Sequence, residues 1–208
     1  MTMLTIYDVE GFPNPARVRM ALADKHALDQ VTFVPVDVMG GEHRAAPFRA
    51  LNPDATVPCA RLPDGTVIGR CTPITEYIDG IFEGPSLIGD TPLQRATTHM
   101  MTLRVEEGLL DTLGAYFHHA TKGLGPDLEV NQLPAWGERQ KVRALASMQY
   151  FDSVLADQPY LAGEAYSMAD IALLAALALA DFAGVPIAAD LVHLHAWREK
   201  SQARYQGN

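Results

Sequence analysis

Apolar and polar positions follow two rhythms along this chain, and the rhythm changes near residue 84. Before it, short β-branched or aromatic runs alternate with helical patterns. Residues 3–7 (MLTIY) read as a strand, and residues 14–26 place Val18, Ala21 and Leu22 on one face of a helix. Residues 31–36 (VTFVPV) read as a second strand. Strand, helix, strand predicts a βαβ unit with parallel pairing. HRAAPFRALNP follows as a short, irregular helical piece ending near Pro53. TVPCARLPDGTVIG supplies two short strands around Pro63-Asp64-Gly65, a hairpin signal. CTPITEYIDGIF then reads as a helix, with Thr72 as its N-cap and Pro73 at its first position. The predicted order is β-α-β-α-β-β-α.

Gly84-Pro85 and Gly89-Asp90 mark a linker, after which the strand pattern vanishes. Thr91-Pro92-Leu93-Gln94 forms a capping box that opens a long helix towards His119. TKGLGPDLEVNQLP is a Gly- and Pro-rich loop, and residues 136–155 are helical. Ser167-Met168-Ala169-Asp170 resembles a second capping box, with Asp in place of Glu and with Tyr166 and Ile171 placed as a hydrophobic staple. The helix it opens is apolar nearly all round, which predicts the centre of a bundle. The expected organisation is an α/β domain over 1–83, a linker over 84–90 and an all-helical domain over 91–208.

Composition narrows the partners. The 208 residues carry a net charge of −9 and contain no basic block, which argues against nucleic acid and acidic membrane surfaces. The N-terminus lacks the pattern of a signal peptide. The most apolar run, 171–180, is too short to span a bilayer. The two cysteines, Cys59 and Cys71, form no Cys-x-x-Cys pair, which argues against a zinc site, a dithiol centre or a disulfide scaffold. No metal is expected, and the cytoplasm is the default compartment.

The candidate chemistry begins at YDVEGFPNPARV, residues 7–18: the end of a strand, a loop and the first turn of a helix. Pro15 suits the first helical position and Asn14 suits the N-cap before it. Such an opening attracts an anion. The loop itself, Asp8 to Pro13, contains no hydroxyl and no sulfur.

NPARVRMAL, TVP, CTPITEYI and SMADI, in their places along this layout, resemble the cytosolic glutathione S-transferases over essentially the full chain. The resemblance implies a thioredoxin-like N-terminal domain that binds glutathione as co-substrate and a helical C-terminal domain that helps to hold a small hydrophobic electrophile. It also implies a homodimer. It implies that Pro58 is cis and that the backbone of Val57 pairs with the cysteinyl part of glutathione. Phe12 occupies the place where family members carry the Ser, Cys or Tyr that activates the thiol. Tyr7 reads as a packed strand residue instead.

YFHHATKGLGP, residues 116–126, is similar to a stretch of an atypical fungal-type subgroup that also lacks that hydroxyl. There a helix N-terminus holds the thiolate, and a water held by a histidine and a serine takes the proton. The histidine corresponds to His118, with His119 the fallback, since adjacent helical residues point about 100° apart. The serine corresponds to Gly114, one turn earlier, which leaves room for a water.

The γ-glutamyl end shows a second departure. Family members carry Glu-Ser where this chain has Arg70-Cys71. The Cys71 amide and the Thr72 hydroxyl still suit a carboxylate. Arg70 repels an ammonium group and pairs with carboxylates instead. Cys71, near a cation and a helix start, is either reactive or an inert, half-buried thiol. Cys59 reads as packing. His43 and Arg44 match positions that approach the glycyl carboxylate, or else lie in a solvated loop.

Lowering a thiol from about pKa 8.5 to about 6.5 requires roughly 2.7 kcal/mol of preference for the thiolate. A helix N-terminus supplies about 0.3–1 kcal/mol. One good donor to a charge adds about 1.5–3 kcal/mol. Asn14 and its helix therefore come close to sufficing, and a histidine is needed only to remove the proton. The leading expectation is thiol activation for attack on an electrophile, or peroxide reduction. The alternatives are a catalytically weak binding protein of the same fold and a glutathione-dependent isomerase or dehalogenase.

Overall fold

A computed structural model describes residues 4–205, which divide into two compact units between Leu87 and Ile88. Met3, in the expected first strand, and the last three residues lie outside the described residues.

The first unit is built on β1 (Thr5–Asp8), β2 (Thr32–Pro35), β3 (Cys59–Arg61) and β4 (Val67–Gly69), in the spatial order β2-β1-β3-β4. β1 pairs parallel with β2, as the intervening helix requires, and antiparallel with β3; β3 and β4 form the expected hairpin. Its turn closes with Gly65 N–H to Leu62 O at 3.0 Å and Leu62 N–H to Thr66 O at 2.8 Å. Gly65 has φ +90°, the left-handed region for which glycine is suited. α1 (Pro13–Asp24) and α3 (Cys71–Ile81) pack against one another, and α2 (Ala46–Leu51) is the short helical piece. Ile6, Val18, Leu22, Ile74 and Ile78 are fully buried. The core also encloses an ion pair, Lys25 Nζ to Asp79 Oδ1 at 2.7 Å. The same Asp79 oxygen accepts the Leu87 N–H at 2.7 Å and so ties down the end of the unit.

Two helix starts differ from expectation. α1 begins at Pro13, not Pro15, and its N-cap is Phe12 rather than Asn14. Both prolines suit a first turn, and the earlier one takes the first position because the chain bends at Gly11, φ +84°. Asn14 is therefore the second helical residue. α3 begins at Cys71 after Arg70, so Thr72 is not its N-cap and Pro73 is not its first residue. Arg70 takes φ +67°, a conformation rare outside glycine that nothing in its side chain signals.

The second unit is helical throughout: α4 (Pro92–Val105), a π-helical turn (Glu106–Leu110), α5 (Asp111–Ala120), α6 (Pro134–Asp157), α7 (Met168–Phe182) and α8 (Val192–Ala203). α4 and α5 form the expected long helix, interrupted by the wider turn. The Gly108 carbonyl there accepts from Ser147 Oγ at 2.7 Å and Thr112 Oγ1 at 2.8 Å. α7 is the buried helix of the bundle, with Ile171 to Leu177 almost wholly enclosed. Asp170 is fully buried at its start and accepts from Ser167 N at 3.0 Å, Ser167 Oγ at 2.9 Å, Leu161 N at 2.9 Å and Trp197 Nε1 at 3.2 Å. Among the described residues no helix is long and apolar enough to cross a membrane.

Candidate active site

In the first unit, β1 delivers the chain into the loop that opens α1. Asp8, at the strand end, is buried, and Arg19 one helical stretch later holds both its oxygens, at 2.8 and 3.2 Å. The Arg19 guanidinium also lies 3.9 Å above the Phe33 ring. The one acid near the loop that is buried is thus neutralised. Pro13 and Pro15 have no N–H, and the Ala16 N–H already bonds to Phe12 O at 3.0 Å. Among the described residues, Asn14 is left with the free backbone N–H of the first turn. Its carbonyl accepts from Cys71 Sγ at 3.3 Å. The starts of α1 and α3 are therefore in direct contact.

The Arg17 guanidinium strengthens that junction. It is buried and donates to the Thr72 hydroxyl at 3.1 Å, so that hydroxyl already serves as an acceptor. Arg70 is exposed, and its Nε donates to Asp54 Oδ2 at 2.8 Å. The cation is answered within the chain, which weakens its repulsion of a ligand ammonium. Neither Arg17 nor Asp54 carries a sequence signal for this role. Each depends on contacts 55 and 16 residues away.

The Val57–Pro58 bond is cis, as the resemblance implies. Pro58 is buried and Val57 half-buried. Asn52 Nδ2 occupies the Thr56 carbonyl at 2.8 Å, yet the Val57 N–H and C=O bond to nothing among the described residues. A paired donor and acceptor is thus left open on the segment entering β3. His43 is buried rather than solvated, in a single helical turn over Glu42–Arg44. Its Nδ1 has no partner, and burial, then Arg44, lowers its pKa, so the ring is neutral at pH 7. Burial pushes the Cys59 thiol up to about 11, and its role is packing. Cys71 is buried, not half-buried. Tyr7, in β1, packs edge-on to Phe48 of α2.

In the second unit the two histidines at the end of α5 differ sharply. His119 Nδ1 accepts the Leu133 N–H at 3.1 Å and so helps to start α6. His118 Nδ1 lies 2.6 Å from Glu129 Oε1, and its ring is 44% exposed, with Nε2 unengaged. Gly114 faces open space, since a Cβ built there meets nothing within 4 Å. Glu129 sits in the Gly- and Pro-rich loop, where no helical or strand period marks it. Tyr116 and Phe117 are buried, the phenol within 3.4 Å of Lys141 Nζ. Among the described residues no cluster of three or more His, Cys, Asp or Glu side chains could hold a metal ion.

A cis-proline entering β3 and a lone helix amide at the start of α1 lie on a four-stranded, thioredoxin-like unit, which a helical unit follows. Known proteins share this architecture. The family descriptions "Glutathione S-transferase, N-terminal domain" and "Glutathione S-transferase, C-terminal domain" match residues 13–81 and 134–200. The chain is 47% identical to glutathione S-transferase 2 of Saccharomyces cerevisiae, over 97% of this chain and 86% of the yeast protein. The crystal structure of Gtt2 from that yeast superposes with a TM-score of 0.94 over 97% of each chain. A glutathione S-transferase domain-containing protein of Marinobacter aquaeolei is 58% identical, with a TM-score of 0.95 over 97% of this chain and 98% of that one. The maleylacetoacetate isomerase of Pseudomonas aeruginosa is 30% identical over 82% of this chain and 78% of its own. The chain belongs to the glutathione S-transferase family and is an enzyme of that family, similar to the fungal-type Gtt2 proteins.

Proposed function

We propose that this enzyme binds glutathione on its first unit, holds the sulfur as a thiolate at the start of α1, and directs it at a small hydrophobic electrophile or a peroxide. The observation that carries this reading is the open Val57 N–H and C=O, a pairing edge for the cysteinyl residue. Phe12 lines the thiol position without reacting. The Asn14 N–H, and its side-chain amide, supply the charge-assisted donor worth about 1.5–3 kcal/mol. The α3 start takes the γ-glutamyl carboxylate through the Cys71 N–H and Thr72, with Arg70 beside it. His43 donates to the glycyl carboxylate as a neutral imidazole. Proton removal is assigned to His118 through a water, with His119 excluded because its Nδ1 already serves Leu133. The protein acts as a homodimer in the cytoplasm, without a metal.

The test is His118→Ala. Turnover with a chromogenic electrophile is expected to fall about a hundredfold, the lower end for a lost general base, with glutathione affinity by calorimetry unchanged. Unchanged turnover overturns the assignment. The isomerase relative favours one further reading, a glutathione-dependent isomerisation through the same thiolate, which consumes no glutathione and is separated from conjugation by measuring free thiol over the reaction.

A further inference from the structure

The loop after α5 is built around one carboxylate. The Glu129 side chain is 9% exposed, and its Oε1 meets both His118 Nδ1, at 2.6 Å, and the Leu124 N–H, at 2.9 Å. Gly123 closes over it so tightly that a Cβ there would lie 2.3 Å from Oε1 and 2.6 Å from Cδ. With φ +52° as well, that position suits only glycine. The rest of the loop fixes the helix end. Thr121 Oγ1 donates to Phe117 O at 2.6 Å, and Gln132 Nε2 donates to the carbonyls of His118, at 2.8 Å, and Thr121, at 2.7 Å. The His118 ring rests edge-on against Phe117, with centroids 5.0 Å apart.

An ionised carboxylate accepts hydrogen bonds and donates none, so the ring nitrogen facing it carries a proton. We infer that Glu129 is a positioning residue that holds neutral His118 as the Nδ1–H tautomer, with the lone pair on Nε2 turned outward as the proton acceptor. Free imidazole side chains favour the opposite tautomer, whose basic nitrogen would here be buried against Glu129. Fixing the base by a third group is the arrangement that hydrolase triads use for their histidines. The inference rests on the reading of His118 given above. In that reading the thiol proton passes to water while the water's own proton passes to Nε2. The sulfur keeps its electron pair, and Nδ1–H stays on Glu129.

The experiment is a two-bond ¹H–¹⁵N spectrum of histidine-labelled enzyme at a pH where the ring is neutral, with His118 assigned by its loss in H118A. The wild type is expected to show Nδ1 protonated and Nε2 bare. Glu129→Ala is expected to move His118 towards the Nε2–H form and to lower kcat about tenfold at unchanged glutathione KM. Glu129→Gln, whose amide oxygen still accepts from the ring and keeps the loop closed, is expected to restore most of both. In the H118A background, Glu129→Ala is expected to cost no further turnover. An Nε2–H signal in the wild type overturns the inference, as does the same tautomer in E129A and E129Q. So does a kcat loss from E129A that persists without His118. Unchanged turnover in H118A overturns the base reading instead, and the nitrogen signals, read without turnover, still decide whether Glu129 sets the tautomer.

Discussion

The loop that opens α1 and the loop that follows α5 achieve a fixed geometry by opposite means. The first is made rigid by what the chain lacks. Pro13 and Pro15 remove two amides and lock φ, so among the described residues a single free N–H, on Asn14, is left in the first turn. The second is made rigid by added bonds: Glu129, Thr121 and Gln132 together occupy the His118 ring and the last carbonyls of α5. A thiolate needs one donor placed well and gains little from a flexible side chain. A proton acceptor must be a side chain, and it needs the correct nitrogen exposed. Backbone function tolerates side-chain change, whereas side-chain function does not.

The units differ in the same way in how they bury a carboxylate. Asp79 is matched by a cation, Lys25, while Asp170 is held by neutral donors alone. The largest expected effect follows from that. Asp170→Ala strands the Leu161 and Ser167 amides and the Trp197 indole, and is expected to cost about 3 kcal/mol in urea unfolding. Burial outweighs those donors and raises the Asp170 pKa from 3.8 to about 6. The folded protein therefore binds this proton where the unfolded chain has released it. The Asp170 contribution to stability is full below pH 3.8 and falls as pH rises towards about 6. In Asp170→Asn this pH dependence is expected to vanish. A stability difference between wild type and D170N that stays constant from pH 4 to 6.5 would show the carboxylate to be ionised throughout.

The backbone claim for α1 is tested next. Asn14→Ala keeps the N–H and removes the side chain; Asn14→Pro removes the N–H at a first-turn position where proline is tolerated. Asn14 itself already precedes a proline in helical conformation, so the turn accepts that geometry. Ultraviolet titration of the bound thiolate is expected to show the glutathione pKa rise by about one unit in N14P, roughly 1.4 kcal/mol, and by less than half of that in N14A. The reverse order would transfer the donor role to the side-chain amide.

Local chemistry made much of this legible from sequence. The hairpin at Pro63-Asp64-Gly65, both capping boxes and the apolar α7 depend on residues within four positions of one another, and the structure contains each of them. The α1 start is displaced because Pro13 suits a first turn as well as Pro15 does, and the helix begins there although Phe12 has no side-chain oxygen to cap it. Arg70 at positive φ breaks the rule for its residue type, so propensity points two residues further on. The partners Arg17–Thr72, Arg70–Asp54 and His118–Glu129 are set by tertiary folding. No period in the sequence links them. Glu129 offered one hint: it is an acid in a loop whose Gly123 and Gly125 permit a tight wrap.

The smallest expected effect lies at Gly114, which stands one turn before His118 and has room above it. Gly114→Ser places a hydroxyl one turn before His118, on the same helical face, where neighbours four apart stand about 5–6 Å from one another. That spacing suits a water bridging the hydroxyl and Nε2. Serine in a helix interior is favoured over glycine by about 0.5 kcal/mol, so thermal stability is expected to rise slightly. Gly114→Ala separates the two effects, since it raises stability further without adding a donor. A kcat gain in G114S alone, at constant glutathione KM, supports proton removal by way of a water near His118 that the added hydroxyl helps to hold. Equal turnover in both variants means that a hydroxyl at this position adds nothing to proton removal.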